Sequence, residues 1–274
     1  MRTCVITGAA SGIGAGLARH AATLGMNLVL ADWDKAALTS VARSLSVETL
    51  AMPVDVRDEA AVLALADAAY DKFGQVDLVF NNAGVLSSGL SWEIDAATWQ
   101  RSLDVNIGGV VNVIRAFVPR LIAADRPARI VNTSSLGGFL TSPFMSPYSA
   151  TKFAIVAISE ALAAELAAID SKVRVSLLAP GPVKSAIMDE QAPPQTADFM
   201  DMLRGMNDEN GMSPEQLAEI VFCAVERGDY WIFPHPEMLD APLRNRTEMI
   251  VGRRSPTGSD LIASEPEVER EQNG

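Results

Sequence analysis

RTCVITGAASGIGAGLARHAATLG, residues 2–25, decides the fold. Residues 3–7 are apolar and β-branched with little alternation, the pattern of a strand buried in a parallel sheet. Gly8, Gly12 and Gly14 follow, and an alanine-rich helix is expected to run to about Leu24. The spacing T-G-x-x-x-G-x-G differs from the more common G-x-G-x-x-G, but its physical use is the same. Glycines let the backbone turn tightly and approach a pyrophosphate, which rests on amides at the helix N-terminus. A plain strand-to-helix turn would need only one glycine. Gly8, Ser11, Gly12, Ile13 and Gly14 are therefore candidate cofactor contacts.

The next apolar run, NLVLAD, ends at Asp32, eighteen residues after Gly14. A carboxylate here accepts hydrogen bonds from adenosine ribose hydroxyls. It would repel the extra phosphate of NADP. Ser11 and Trp33 occupy positions where an arginine would have favoured NADP, and Lys35 is expected to open the next helix facing solvent. The expected cofactor is NAD, with Asp32 and Trp33 among its contacts.

Further strands are expected near 27–31, 49–53, 77–80, 128–133, 173–179 and 230–233, with a long helix near 98–122 and another from about 148 to 169. Strand–helix alternation from residue 3 to about 233 gives an α/β fold: one Rossmann-type, doubly wound parallel sheet of about seven strands with helices on both faces. The hydrophobic share of 49% suffices to cover both faces. Residues 1–245 read as one catalytic domain, with a substrate loop at about 186–212. Residues 246–274 end in a glutamate-rich stretch and read as a tail, loosely ordered or docked on a neighbouring subunit. The net charge of −12 argues against nucleic acid and anionic membranes. No segment is expected to span a bilayer, and the strand starting beside Met1 leaves no room for a signal peptide. Cys4 and Cys223 suggest no disulfide framework, hence a reducing, cytoplasmic setting.

The chemistry is concentrated in IVNTSSLGGFLTSPFMSPYSATKFA, residues 130–154. Lys152 falls four residues after Tyr148, so on a helix both rise from one face. A free tyrosine ionises near pH ~10. An ammonium about 4 Å away at an effective dielectric near 20 favours the phenolate by roughly 4 kcal/mol. That lowers the phenol by about three units and makes Tyr148 a usable general acid/base. Tyr-x-x-x-Lys alone occurs by chance in many helices, but here it accompanies the glycine loop, an Asn-Asn-Ala-Gly turn and a serine thirteen residues upstream.

Together, TGAASGIG, NNAG at 81–84, Asn106 in LDVNIGG, the Ser135–Tyr148–Lys152 set and PGPVKS at 180–185 resemble the short-chain dehydrogenase/reductase family, in its main subfamily of about 250 residues. The similarity covers residues 2 to about 235. It implies that Tyr148 is the proton donor and acceptor for the substrate oxygen. Lys152 would lower the tyrosine and hold the nicotinamide ribose, Ser135 would hydrogen-bond the reacting oxygen, and Asn106 would hold a water linking lysine to solvent. The neighbouring Ser134 fits the spacing less well. Asp55 and Val56 resemble the pair that contacts adenine, and Asn82, Ala83 and Gly84 would pack against the cofactor. Pro180, Gly181, Val183 and Ser185 would line its nicotinamide end; Ser185 stands where the family often has threonine. The helices GGVVNVIRAF and ALAAELAAI correspond to those that pair subunits in the family, so a homo-oligomer, dimer or tetramer, is expected.

The resemblance also places Leu136, Phe139, Leu140, Phe144 and Met145 on the substrate side. The following insertion carries Met188, Phe199, Met200, Met202, Met206 and Met212, suited to an adaptable apolar lid or to a helix packed on the body. Ser135, Leu136, Phe144, Met145, Tyr148 and Met188 are the substrate candidates. They suggest a bulky apolar secondary alcohol or ketone of steroid, terpenoid or aryl-alkyl type. His20 reads as a surface or helix-end residue and His235 as structural, and no metal site is expected. The function implied is an NAD-dependent alcohol dehydrogenase or ketone reductase. A ketoacyl-carrier-protein-type reductase and a non-catalytic dinucleotide sensor are the alternatives.

Overall fold

Seven apolar runs pair into one parallel sheet: β1 (Thr3–Thr7), β2 (Asn27–Asp32), β3 (Thr49–Pro53), β4 (Leu78–Asn81), β5 (Ala128–Thr133), β6 (Val173–Leu178) and β7 (Trp231–Ile232). The computed structural model describes residues 1–188 and 193–256. The strand order is β3-β2-β1-β4-β5-β6-β7. The order reverses between β1 and β4, and in such sheets the crevice outside the carboxyl ends at the reversal is where ligands bind.

Pleating sends alternate side chains to opposite faces. Cys4 and Ile6 of β1 enter one core, together with Leu17 of α1 (Gly12–Thr23) and Val221 and Phe222 of a later helix; Val5 enters the other. Three aspartates cap the next helices: Asp34 caps α2 (Lys35–Ser44), Asp58 caps α3 (Glu59–Phe73) and Asp95 caps α4 (Ala96–Leu103). Each accepts first-turn amides that would otherwise lack partners.

The expected long helix is present but not uniform. After α4 the chain makes a π turn at Asp104–Gly108 before α5 (Gly109–Ala123). The joined run Ala96–Ala123 is long and apolar enough to cross a membrane by length and composition, which corrects the expectation that no segment is. In this fold α5 packs on α3, β4 and β5. α6 (Ser146–Ala168) carries Tyr148 and Lys152. α7 (Ala197–Asn210) lies within the expected substrate loop of about 186–212. α8 (Pro214–Arg227) opens at the expected Ser213-Pro214, closed by a capping box between Ser213 and Gln216.

α1 and α8 touch closely. A Cβ on Gly16 would lie 2.5 Å from the Pro214 carbonyl oxygen, so a side chain there would drive the helices apart. The last helix of the described residues, α9 (Pro236–Val251), runs past residue 245, the boundary expected from composition. The expected tail from residue 257 onward lies outside the described residues.

Candidate active site

Tyr148 and Lys152 stand one turn apart near the start of α6, facing the end of β5. The Ser135 hydroxyl accepts the Gly137 N–H at 3.1 Å and stands beside the Tyr148 phenol, whose pKa it lowers. Ser134, its neighbour, points elsewhere: its hydroxyl donates to the Lys152 carbonyl at 2.9 Å and ties β5 to α6. Lys152 is 4% exposed, and its Nζ donates to the Thr133 carbonyl at 3.0 Å. The same Nζ lies 5.6 Å from the Tyr148 ring centroid.

This arrangement corrects the expected electrostatics. Burial raises the Tyr148 phenol above its ordinary range, with the Ser135 hydroxyl pulling the other way. Burial also brings Lys152 down to about 8. Desolvation disfavours charge on both groups. The ammonium donates to the Thr133 carbonyl and lies over the edge of the phenol ring, so burial outweighs its pull on the phenol. In the protein alone Tyr148 is a protonated acid.

Asn106 lies in the π turn, fully buried. Its Oδ1 accepts the Val85 N–H at 2.8 Å, and its Nδ2 donates to the Val85 carbonyl at 2.9 Å and to the Thr151 hydroxyl at 3.0 Å. With both amide donors used, its side chain braces the 82–85 turn against α6.

The glycine loop is a bare cradle. Gly8 has φ +66, and a Cβ on Gly14 would lie 2.0 Å from the Gly8 carbonyl oxygen. Ser11 is extended and its hydroxyl makes no capping bond, which leaves the first-turn amides of α1 facing outward. Ser185 closes the loop from above, 2.7 Å from where a Gly12 Cβ would stand. Asn82 and Ala83 are tied to the loop through Thr7, whose hydroxyl accepts both backbone N–H groups at 3.0 and 3.1 Å. Gly84 passes beside Lys152 and Asn106. Asp32 is buried at the end of β2 and accepts the Ala10 and Asp34 N–H groups at 2.9 and 3.0 Å. Trp33, 81% exposed, stands free beside it. A loop stripped of side chains, helix amides and a carboxylate at the second strand fit a dinucleotide with an unphosphorylated ribose.

Asp55 is paired with Arg57 at 2.6 Å, which lowers its carboxyl below the usual range. The Val56 side chain is buried against Gly109 and its carbonyl accepts from Asn112 at 2.9 Å. Val183 is buried and bridged to Met212, and the Pro180 carbonyl accepts the Leu136 N–H at 3.0 Å.

Over Tyr148 lies an apolar cluster of Leu86, Met145, Met188, Phe199, Met200 and Leu203. Phe144 sits at φ +64 with its ring 5.2 Å from that of Phe199. Leu86 and Leu203 were missed by sequence reasoning; Leu203 lies one turn after Phe199, a helical spacing that marks the shared face. Phe139 instead packs edge-on against Trp231 and Phe233, and Met202 and Met206 are exposed, so these three stand outside that cluster. Met212 packs in the core beside α8. Among the described residues no three His, Cys, Asp or Glu side chains gather as a metal site.

Comparisons with known proteins find relatives of this chain. The family model for short chain dehydrogenases matches residues 2–196. A 1-deoxy-11-beta-hydroxypentalenate dehydrogenase of Streptomyces arenae is 35% identical, with 90% of this chain and 86% of that protein covered. A C alpha-dehydrogenase of a Sphingobium species is 31% identical, covering 96% and 90%. A solved short chain dehydrogenase/reductase from Burkholderia phymatum in complex with NAD is 36% identical, with TM-score 0.90 over 93% of this chain and 96% of the other.

Proposed function

The chain belongs to the short chain dehydrogenase family of oxidoreductases, and we propose that it interconverts a bulky, apolar secondary alcohol and its ketone with NAD. The observation that carries this reading is the meeting of Ser135, Tyr148 and Lys152 at the carboxyl end of β5, between the glycine cradle and an apolar lid.

When bound, NAD supplies the carbon that exchanges a hydride with the substrate carbon. Tyr148 handles the proton. In reduction its protonated phenol gives a proton to the substrate oxygen; in oxidation the phenolate takes it back. Ser135 holds the same oxygen through its hydroxyl as charge develops. Lys152, with a pKa of about 8, is largely cationic at pH 7, so its charge is available to the phenolate and to the nicotinamide ribose. Asn106 keeps Val85 and Thr151 in place around that lysine. Asp32 favours NAD over NADP, because a ribose phosphate would face a carboxylate already held by two amides.

The lid argues for the substrate class. Leu86, Met145, Met188, Phe199, Met200 and Leu203 offer aliphatic and aromatic surface around the phenol, which fits a steroid, terpenoid or aryl-alkyl body better than a sugar. The names of two relatives, 1-deoxy-11-beta-hydroxypentalenate dehydrogenase and C alpha-dehydrogenase, favour a dehydrogenase role. The test is cofactor-linked turnover on a panel of secondary alcohols and ketones graded by size and polarity. Turnover with NAD(H) that rises with apolar bulk is expected. Turnover confined to NADP(H), or to small polar substrates, overturns the reading.

A further inference from the structure

His235 stands outside the machinery described so far. It immediately precedes α9 and is 6% exposed, and its ring turns back toward the sheet. Its Nδ1 accepts the Gly181 N–H at 3.1 Å, which places the ring proton on Nε2. Nε2 is buried and has no partner among the described residues. An apolar side chain would fill the space without leaving a buried N–H unpaired. What the imidazole adds is an acceptor for Gly181.

That acceptor sits at a junction. A Cβ on Gly181 would fall 3.0 Å from His235 Cγ and 3.2 Å from Leu136 Cδ1, so ring, turn and Leu136 are in contact. The Pro180 carbonyl accepts the Leu136 N–H at 3.0 Å, one residue past Ser135. On the other side Gly181 leads to Val183, fixed by the 182–184 bridge to Met212.

We propose that His235 is a positioning residue that clamps Gly181 through an unprotonated Nδ1 and, through the Pro180–Leu136 bond, sets the Ser135 hydroxyl beside Tyr148. The clamp itself is independent of the proposed reaction; its effect on turnover rests on that reading.

Three full-length proteins separate a clamp from a filler: wild type, His235→Leu and His235→Asn. The asparagine Oδ1 can take the place of Nδ1 as acceptor. The readouts are hydrogen exchange of the Gly181 amide, kcat and KM on a secondary alcohol, and melting temperature. His235→Leu should speed Gly181 exchange and cut kcat, each on the order of tenfold, and His235→Asn should recover much of both. Wild-type exchange and kcat in the leucine variant, or an asparagine variant no better than leucine, would overturn the proposal. Nitrogen-15 spectra of wild type test it without any variant: an acceptor shift at Nδ1 is expected, and a protonated Nδ1 contradicts it. A wild type inactive with NAD would defeat the functional reading while the exchange and nitrogen measurements still decide the clamp.

Discussion

Lys152 is held where its charge is expensive. The folded chain releases that proton near pH 8, whereas the unfolded lysine keeps it to its ordinary 10.5. Between those values the unfolded state binds more protons, so stability rises with pH across that window. The cost is present in full below pH 8, on the order of 3 kcal/mol, and disappears above 10.5. Lys152→Met should therefore melt higher than wild type at pH 7, and its advantage should shrink as pH rises from 8 to 10.5. An advantage that does not change with pH would contradict a buried ammonium. At the cofactor end, Asp32→Asn removes a charge while keeping one acceptor for the loop amides. It should cut the NAD-over-NADP ratio of kcat/KM on the order of tenfold or more; an unchanged ratio would remove Asp32 from cofactor choice. Much of this was legible in the sequence. The thirteen-residue spacing chose Ser135 over Ser134, and Ser134 indeed faces α6. The direction of the tyrosine shift was not legible. It depends on desolvation and on which acceptor the lysine takes, and the Thr133 carbonyl comes from a strand nineteen residues away.

Elements were placed by periodicity, and the misses have local causes. Apolar runs marked the seven strands of the described sheet, and Ser213-Pro214 marked the start of α8, because capping chemistry is local. The π turn at Asp104–Gly108 was not marked, since inserting one residue into a helical turn leaves composition unchanged. Methionine content marked the apolar cluster at Tyr148 but not its orientation. In α7 Met200 and Phe199 face Tyr148 while Met202 and Met206 face solvent, a division set by helix rotation against the body. The contact between α1 and α8 sets the position of the glycine cradle, because Gly16 sits one turn beyond its first amides. Gly16→Ala should cost about 1–3 kcal/mol by overpacking, read as a lower denaturation midpoint. An unchanged midpoint would mean that the two helices give way more easily than the 2.5 Å between an added Cβ and the Pro214 carbonyl oxygen implies.

At the scale of the molecule, one sheet reversal brings the parts together. The order β3-β2-β1-β4-β5-β6-β7 sets the glycine loop after β1, Asp32 at the end of β2, the Asn82–Gly84 turn after β4 and Ser135 after β5 along one edge. The cofactor cradle is thereby separated from the apolar lid by the Ser135–Tyr148–Lys152 line. On the proposed reading, cofactor binding belongs to the cradle and proton transfer to one phenol. The direct measurement is Tyr148→Phe, with NAD affinity read by tryptophan fluorescence and turnover read on the best substrate of the panel. NAD affinity within a few-fold of wild type, with kcat reduced on the order of 10²–10⁴-fold, is predicted. Turnover close to wild type in that variant would contradict the assignment of the proton to Tyr148.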